Sequence, residues 1–238
     1  MSLRRLFVQL FSIAICMLSN IALAENTAGA AISCHDHYEQ LNNQHVQTMS
    51  AKAMISEQLY LEGLWEIEDK MFVALQQCPT DALLFSLMAE LQMTLGQAPF
   101  AVVYARKAVN LNASLWQAYY ALGTALCMVG DCPTGIDYLH YANKLEPDNP
   151  RLQLNLCSAF AWTGQHELVI KTCSTLIDSD SKDVLAQAYY LRSQANKALG
   201  HRHEAEQDIQ EAERRGFNTK RDVLQVIAPD SVPPSLRR

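Results

Sequence analysis

The chain has 238 residues, with 19 Lys+Arg against 25 Asp+Glu and a formal net charge of −6 at pH 7. An acidic balance with no basic stripe argues against nucleic acid as a partner, and it likewise disfavours an anionic lipid surface. At this length the chain can form one domain or two.

In chain order, the first segment reads as an export signal. Arg4 and Arg5 precede an apolar run from Leu6 to Leu18 that only Gln9 and Ser12 interrupt, and the small-residue triplet Ala22-Leu23-Ala24 follows before Glu25. Positive start, apolar stretch and small-residue cleavage site are the order of a secretory signal peptide, with the cut expected after Ala24. The run is shorter than the roughly 20 residues that a spanning helix needs; a retained anchor is the alternative. Ile15 before Cys16 argues against lipid attachment, and no later stretch is long and apolar enough to span a membrane. Without the two signal arginines the chain keeps 17 Lys+Arg against 25 Asp+Glu, a formal charge of −8. The expected location is periplasmic or secreted.

Residues 25–47 read as an N-terminal leader, small-residue at Glu25 to Ala31, and residues 48–219 as a repeating region. Gly96, Gly130, Gly164 and Gly200 stand 34, 34 and 36 residues apart. Laid over itself at that spacing, the chain aligns a small column (Ala89, Gly123, Cys157, Ser193) and a second of mostly small residues (Ala101, Gly135, Val169, Ala205). A third column holds Ala108, Ala142, Leu176 and Ala212, and an aromatic one holds Phe85, Tyr119 and Tyr189, broken by Gln153. Periods of this size mean stacked supersecondary units. Each unit is expected to be two helices folded back on each other, with small columns at the closest backbone approach. Glycine ends the first helix, because a left-handed terminal residue costs it little. Pro147 stops a second helix, and Asn149 with Pro150 starts the next.

The segment Trp116 to Asn149 is the fullest unit: Tyr119-x-x-Leu122-Gly123-x-x-Leu126, then Gly130-Asp131, Ile136, Ala142 and Pro147. This resembles the tetratricopeptide-repeat (TPR) motif. Units at 82–115, 150–183 and 186–219 match less fully: Ala113 and Ser181 replace the closing proline, Cys157 replaces glycine, and Arg192 stands where an apolar residue is usual. A weaker unit is expected over 48–81, with Gly63, Phe72, Leu75 and Pro79. Residues 220–238 are read as a capping helix at Asp222 to Ile227 and an extended, proline-containing tail.

The resemblance implies an all-α, right-handed solenoid of four to five repeats whose first helices line a concave groove for a partner peptide or helix. Mapped onto this chain, the inward columns are Ser86, Glu90, Met93 and Thr94; then Gln117, Tyr120, Thr124, Cys127 and Met128; then Arg151, Leu154, Ser158 and Trp162; then Gln187, Tyr190, Gln194 and Lys197. Some relatives grip a C-terminal carboxylate with a lysine–asparagine–arginine clamp. The matching columns here are mostly uncharged, so an extended or helical apolar segment is the expected ligand, with Tyr120 and Trp162 as anchors. The competing reading for Leu154 and Met128 is burial between units.

Six cysteines remain after the signal, an even number suited to disulfides in an exported chain. They allow 15 full pairings, of which Cys157–Cys173, Cys127–Cys132 and Cys34–Cys78 is the expected set; buried free thiols are the alternative. Cys34-His35-Asp36-His37 contains metal-ligand residue types but no closed set of four. Cys127 and Cys132 are too widely spaced for the usual redox pair. No phosphate loop, nucleophile elbow or zinc-helix motif occurs, and His45, His140 and His166 are isolated. The expectation is an exported scaffold without cofactor, not an enzyme, binding a partner protein in assembly or maturation of an envelope complex. Self-association is a further expectation, and a redox or metal-handling accessory is the alternative function.

Overall fold

In the computed structural model, residues 33–217 are described, apart from 53 and 180, and they form ten helices with no strand among them. The helices are α1 (Cys34–Ala51), α2 (Glu57–Gln77), α3 (Ala82–Thr94), α4 (Ala98–Leu111), α5 (Trp116–Met128), α6 (Cys132–Leu145), α7 (Pro150–Trp162), α8 (His166–Ser174), α9 (Lys182–Ala198) and α10 (Arg202–Arg214). The expected signal segment and the expected C-terminal cap and tail lie outside the described residues.

The starts and stops have local causes. Ser33 and Asp36 form a reciprocal capping box at α1: the Asp36 N–H donates to Ser33 Oγ at 3.1 Å and the Ser33 N–H donates to Asp36 Oδ2 at 3.3 Å. Ser56, Asp81, Asn149 and Ser181 cap α2, α3, α7 and α9 one way only, each side-chain oxygen accepting a backbone N–H of the first turn. Ser181, standing where the motif has proline, therefore starts the last hairpin by capping it. Helices α4 and α6 begin with a proline in the first turn, where its missing N–H costs nothing.

Within each of the last four hairpins, the turn is built on glycine. Gly96, Gly130, Gly164 and Gly200 have φ between 71 and 95°, the left-handed conformation that closes a helix end. The residue after each one donates its N–H back five residues, as Asp131 does to Leu126 O at 2.9 Å, which satisfies a carbonyl the helix end would otherwise leave open. Gly216 repeats the device at the end of α10, where Phe217 donates to Ala212 O at 3.0 Å.

The chain thus forms five successive hairpins. First helices α1, α3, α5, α7 and α9 touch one another in order, and each second helix packs on its own partner and on the next first helix. This is the connectivity of an α-solenoid, in which every unit buries its apolar face on its neighbours. Two core clusters run through it, one from α1 to α5 and one from α5 to α10. The small columns lie at the crossings: Ala89, Ala101, Ala105, Ala108 and Ala142 are fully buried. The aromatic column covers the second helix of its own hairpin, with Phe85 stacked on Tyr104 and Tyr119 on Tyr138.

Two expectations change. The first hairpin begins well before residue 48: what the sequence marks as leader is, from Cys34 onward, the first helix, and the expected boundary falls inside α1. Gly63 lies in the middle of α2, where a Cβ would sit 3.3 Å from Thr48 Cγ2. It serves close packing of α1 on α2 rather than a turn. Arg192, out of place in a repeat motif, forms a two-pronged ion pair with Asp208 across the last hairpin, at 2.6 and 2.9 Å. Asn196 Nδ2 donates to the same carboxylate at 3.0 Å, and Arg192 also donates to Ser174 Oγ at 3.0 Å. The guanidinium further lies 5.2 Å from the centre of the Tyr189 ring.

All six described cysteines are paired as Cys34–Cys78, Cys127–Cys132 and Cys157–Cys173, with Cα atoms 5.8, 3.7 and 5.7 Å apart. The first ties the start of α1 to the end of α2, the second closes the Gly130 turn, and the third joins α7 to α8.

Two stability predictions come from the crossings. On Gly123 a Cβ would meet the Gly135 carbonyl oxygen at 2.7 Å and Leu139 Cγ at 2.8 Å; backbone cannot yield there, so Gly123→Ala costs about 2 kcal/mol in urea denaturation. Asp208→Ala leaves a mostly buried guanidinium without its carboxylate, at a cost of about 3 kcal/mol. The double change Arg192→Leu with Asp208→Leu recovers most of that loss in the same measurement.

Candidate functional site

The inner layer of a solenoid is the layer whose helices approach each other most, and here that layer is the row of first helices. The concave face is therefore made by α1, α3, α5 and α7, with α9 at the far end. Of the expected groove residues, Met93, Tyr120, Thr124, Met128, Ser158 and Trp162 are half-buried, and Arg151, Gln194 and Lys197 are exposed. Ser158 Oγ donates to Leu154 O at 3.0 Å, one turn back. Met93 packs against the first core cluster, and Tyr120 and Trp162 against the second.

Four expected positions are core, Ser86 among them at 2% exposed with its hydroxyl donating to Ala82 O at 2.9 Å. Leu154 is 7% exposed and Tyr190 4%, because the helices on either side cover them; the Tyr190 ring stacks on Phe217 at 4.4 Å, which the Gly216 turn brings back over it. Cys127 is buried in its disulfide with Cys132. The groove thus contracts to its first four units, with Gln194 and Lys197 as an exposed extension on α9.

Those four units hold a polar cluster. Glu90 on α3 sits where its charge is felt by Tyr38 on α1, Tyr120 on α5 and Arg151 on α7. Burial raises the Glu90 carboxyl above its ordinary range, and Arg151 opposes that rise. Tyr120 is pushed up to about 12, first by burial and then by the Glu90 charge, against the pull of Arg151 and a hydrogen bond from Asn155. His45 on α1 is buried, its Nε2 3.4 Å from Thr94 Oγ1; burial, with a smaller contribution from Arg151, lowers it to about 4. On α5, Thr124 Oγ1 and Gln117 Oε1 are buried with no hydrogen-bond partner. Buried polar atoms are nearly always satisfied, and these two on one helix are exceptions.

The columns find Glu90, Tyr120, Thr124 and Arg151 but miss Tyr38 and His45, which lie in the segment read as leader, and Asn155, which sits one residue off its column. A capping box at Ser33–Asp36 was the available sign that α1 exists. Of the residues of the alternative metal and redox readings, Cys34 is in a disulfide with Cys78, Cys127 and Cys132 are bonded to each other, and His37 Nε2 lies 2.7 Å from Gln77 Oε1. Among the described residues no group of three or more His, Cys, Asp or Glu side chains is placed to hold a metal ion, and no helix is long and apolar enough to cross a membrane.

No protein-family model matches the sequence, and no curated protein matches it. Solved structures do. PilW, described as a widely conserved type IV pilus biogenesis factor, aligns over 78% of this chain and 82% of its own with a TM-score of 0.62 and 16% identity. TTC0263, a thermophilic TPR protein of Thermus thermophilus, aligns over 77% of this chain and 93% of its own with a TM-score of 0.57 and 16% identity. YrrB, a TPR protein with an unusual peptide-binding site, aligns over 87% of this chain and 92% of its own with a TM-score of 0.54 and 14% identity. The fold is that of the tetratricopeptide-repeat solenoids.

The buried imidazole carries a pH prediction. Its folded pKa, about 4, lies below the ordinary 6.5. The unfolded chain therefore binds the proton first, and stability falls as pH drops from about 6.5 to about 4, by up to about 3 kcal/mol. Glu90, raised by burial, contributes in the opposite sense, gaining stability on protonation. Thermal melts of the wild type and of His45→Gln at pH 7 and pH 4.5 isolate the histidine: the variant loses less of its stability on acidification.

Proposed function

We propose that this chain is an exported scaffold that holds a segment of a partner protein along its concave face, in assembly or maturation of an envelope complex, and that it performs no chemistry of its own. The observation that carries the reading is the row Tyr120, Thr124, Met128, Arg151, Ser158 and Trp162 on α5 and α7. It combines two aromatics, a solvent-facing guanidinium and an unsatisfied buried hydroxyl. Aromatic residues in a partly desolvated trough are the usual anchors of protein recognition, and a helix or extended segment laid in a groove is a common mode of peptide capture. Export is supported by three disulfides, which persist in oxidising compartments, together with the signal-like segment ending at Ala24. The likeness to a pilus biogenesis factor and to a peptide-binding TPR protein agrees with a role in holding other chains.

The test is photo-crosslinking in the native envelope from a reactive side chain placed at Ser158, followed by the same experiment with Tyr120→Ala and Trp162→Ala. A discrete adduct is expected, and its yield drops at least tenfold in the double variant while the circular dichroism stays helical. An adduct of undiminished yield would falsify the groove assignment.

A further inference from the structure

The six paired cysteines differ in how they meet solvent. Cys78, Cys127, Cys132, Cys157 and Cys173 are each 6% exposed or less, whereas Cys34, the first residue of α1, is half-buried. The bonds also differ in what they hold. Cys127–Cys132 spans a turn that the Asp131-to-Leu126 hydrogen bond already closes, and Cys157–Cys173 joins two helices that share one core cluster. Cys34–Cys78 encloses the longest loop, 44 residues, and fastens a helix with little packing of its own. Of the 18 residues of α1, Leu41 and His45 are buried, against nine of 13 in α3. The polar ties of α1 to its neighbours are His37 to Gln77 at 2.7 Å and Gln44 to Lys70 at 3.4 Å, both on exposed surface, with His45 to Thr94 at 3.4 Å and the Tyr60 hydroxyl on Met49 Sδ at 3.0 Å. Such contacts each contribute little net stability, and a helix draws most of its stability from the apolar face it packs. The disulfide at its first residue and the turn at its end therefore hold α1 in place between them.

We infer that Cys34 is the point of entry for thiol–disulfide exchange with a dithiol, and that opening the Cys34–Cys78 bond releases α1 from the array. One thiolate of the dithiol attacks Cys34 Sγ, the sulfur–sulfur bond breaks, and Cys78 leaves as a thiolate that takes up a proton. The second thiol then attacks the mixed disulfide and frees Cys34 as a thiol. The dithiol ends as a disulfide, and two electrons and two protons have passed to the protein. Exchange follows access to the sulfur, and both residues of each other bond are buried. Once the bond is open, the turn into α2 is the covalent link that remains to α1. Tyr38 and His45 then leave the concave face with their helix, and reoxidation returns them. The redox state thus sets the length of that face, five first helices when the bond is closed and four when it is open. This does not depend on what the face binds.

The experiment treats the full oxidised chain with rising concentrations of dithiothreitol at pH 7. Freed thiols are trapped by alkylation and mapped by mass spectrometry, and amide hydrogen exchange is read on the same samples. Cys34 and Cys78 are expected to be alkylated about tenfold faster than the other four cysteines. In the species with that one bond open, the amides of α1 exchange about a hundredfold faster while those of α3 to α10 keep their protection. Cys34→Ala combined with Cys78→Ala shows the same fast exchange in α1 with no dithiol present. Equal labelling of all six cysteines overturns the inference. So does an α1 that stays protected after its bond has opened, or a loss of protection along the whole array at that stage.

Discussion

The contact on which the architecture depends is the near-touch of two helix backbones inside each hairpin. At Gly123 and Gly135 no side chain separates α5 from α6, and each glycine faces the other's carbonyl oxygen. That closeness sets how steeply the hairpin folds and hence which face of α5 is left for the next first helix. Where a larger residue occupies the same column, the fold uses it differently: Cys157 reaches α8 through a disulfide with Cys173 and rests its sulfur against Val169 O at 3.5 Å. The crossing is kept while its chemistry changes from bare backbone to covalent bond. Because units interact only with neighbours, each local crossing propagates along the array and determines the inner face.

On that face, polarity and covering are unevenly distributed. The core behind it is apolar and filled by alanine, leucine and methionine, whereas the first four units turn a carboxylate, two phenols, an imidazole and a guanidinium toward one trough. Their mutual influence spans α1 to α7, since Arg151 is felt as far away as His45. The last unit differs: Arg192, Asn196 and Asp208 are bound to one another and Tyr190 is sealed by Phe217, while Gln194 and Lys197 stay exposed. The shared polar cluster therefore lies in the first four units and the Arg192–Asp208 network in the last.

Much of this was legible from residue order. Glycines that must adopt positive φ recur in phase, and small residues that must sit at crossings recur with them, so four hairpins and their turns could be read directly. The first hairpin could not. Its turn, residues 52–56, contains no glycine, and Gly63, which stands 33 residues before Gly96 and so nearly in phase, is mid-helix. Cys157–Cys173 was readable because the two helices of one hairpin bring facing columns together, and Cys127–Cys132 because the two flank one turn; Cys34–Cys78 was the pair that remained. Depth within the groove was not readable: periodicity tells which way Leu154 and Tyr190 face but not that neighbouring helices close over them. Nor does it say that Arg192 will find Asp208, since that partner comes from a helix whose carboxylates fall all around its surface.

The three disulfides have a mechanical consequence. Each lies within a single hairpin, and among the described residues none bridges two. A pull on the two ends can therefore draw neighbouring hairpins away from each other, yet the loops of 44, 5 and 16 residues between bonded cysteines stay withheld from extension. Under tension such a chain would extend fully through α3–α4 and α9–α10, which carry no crosslink, and would stop short of its full contour by the residues held inside the three loops.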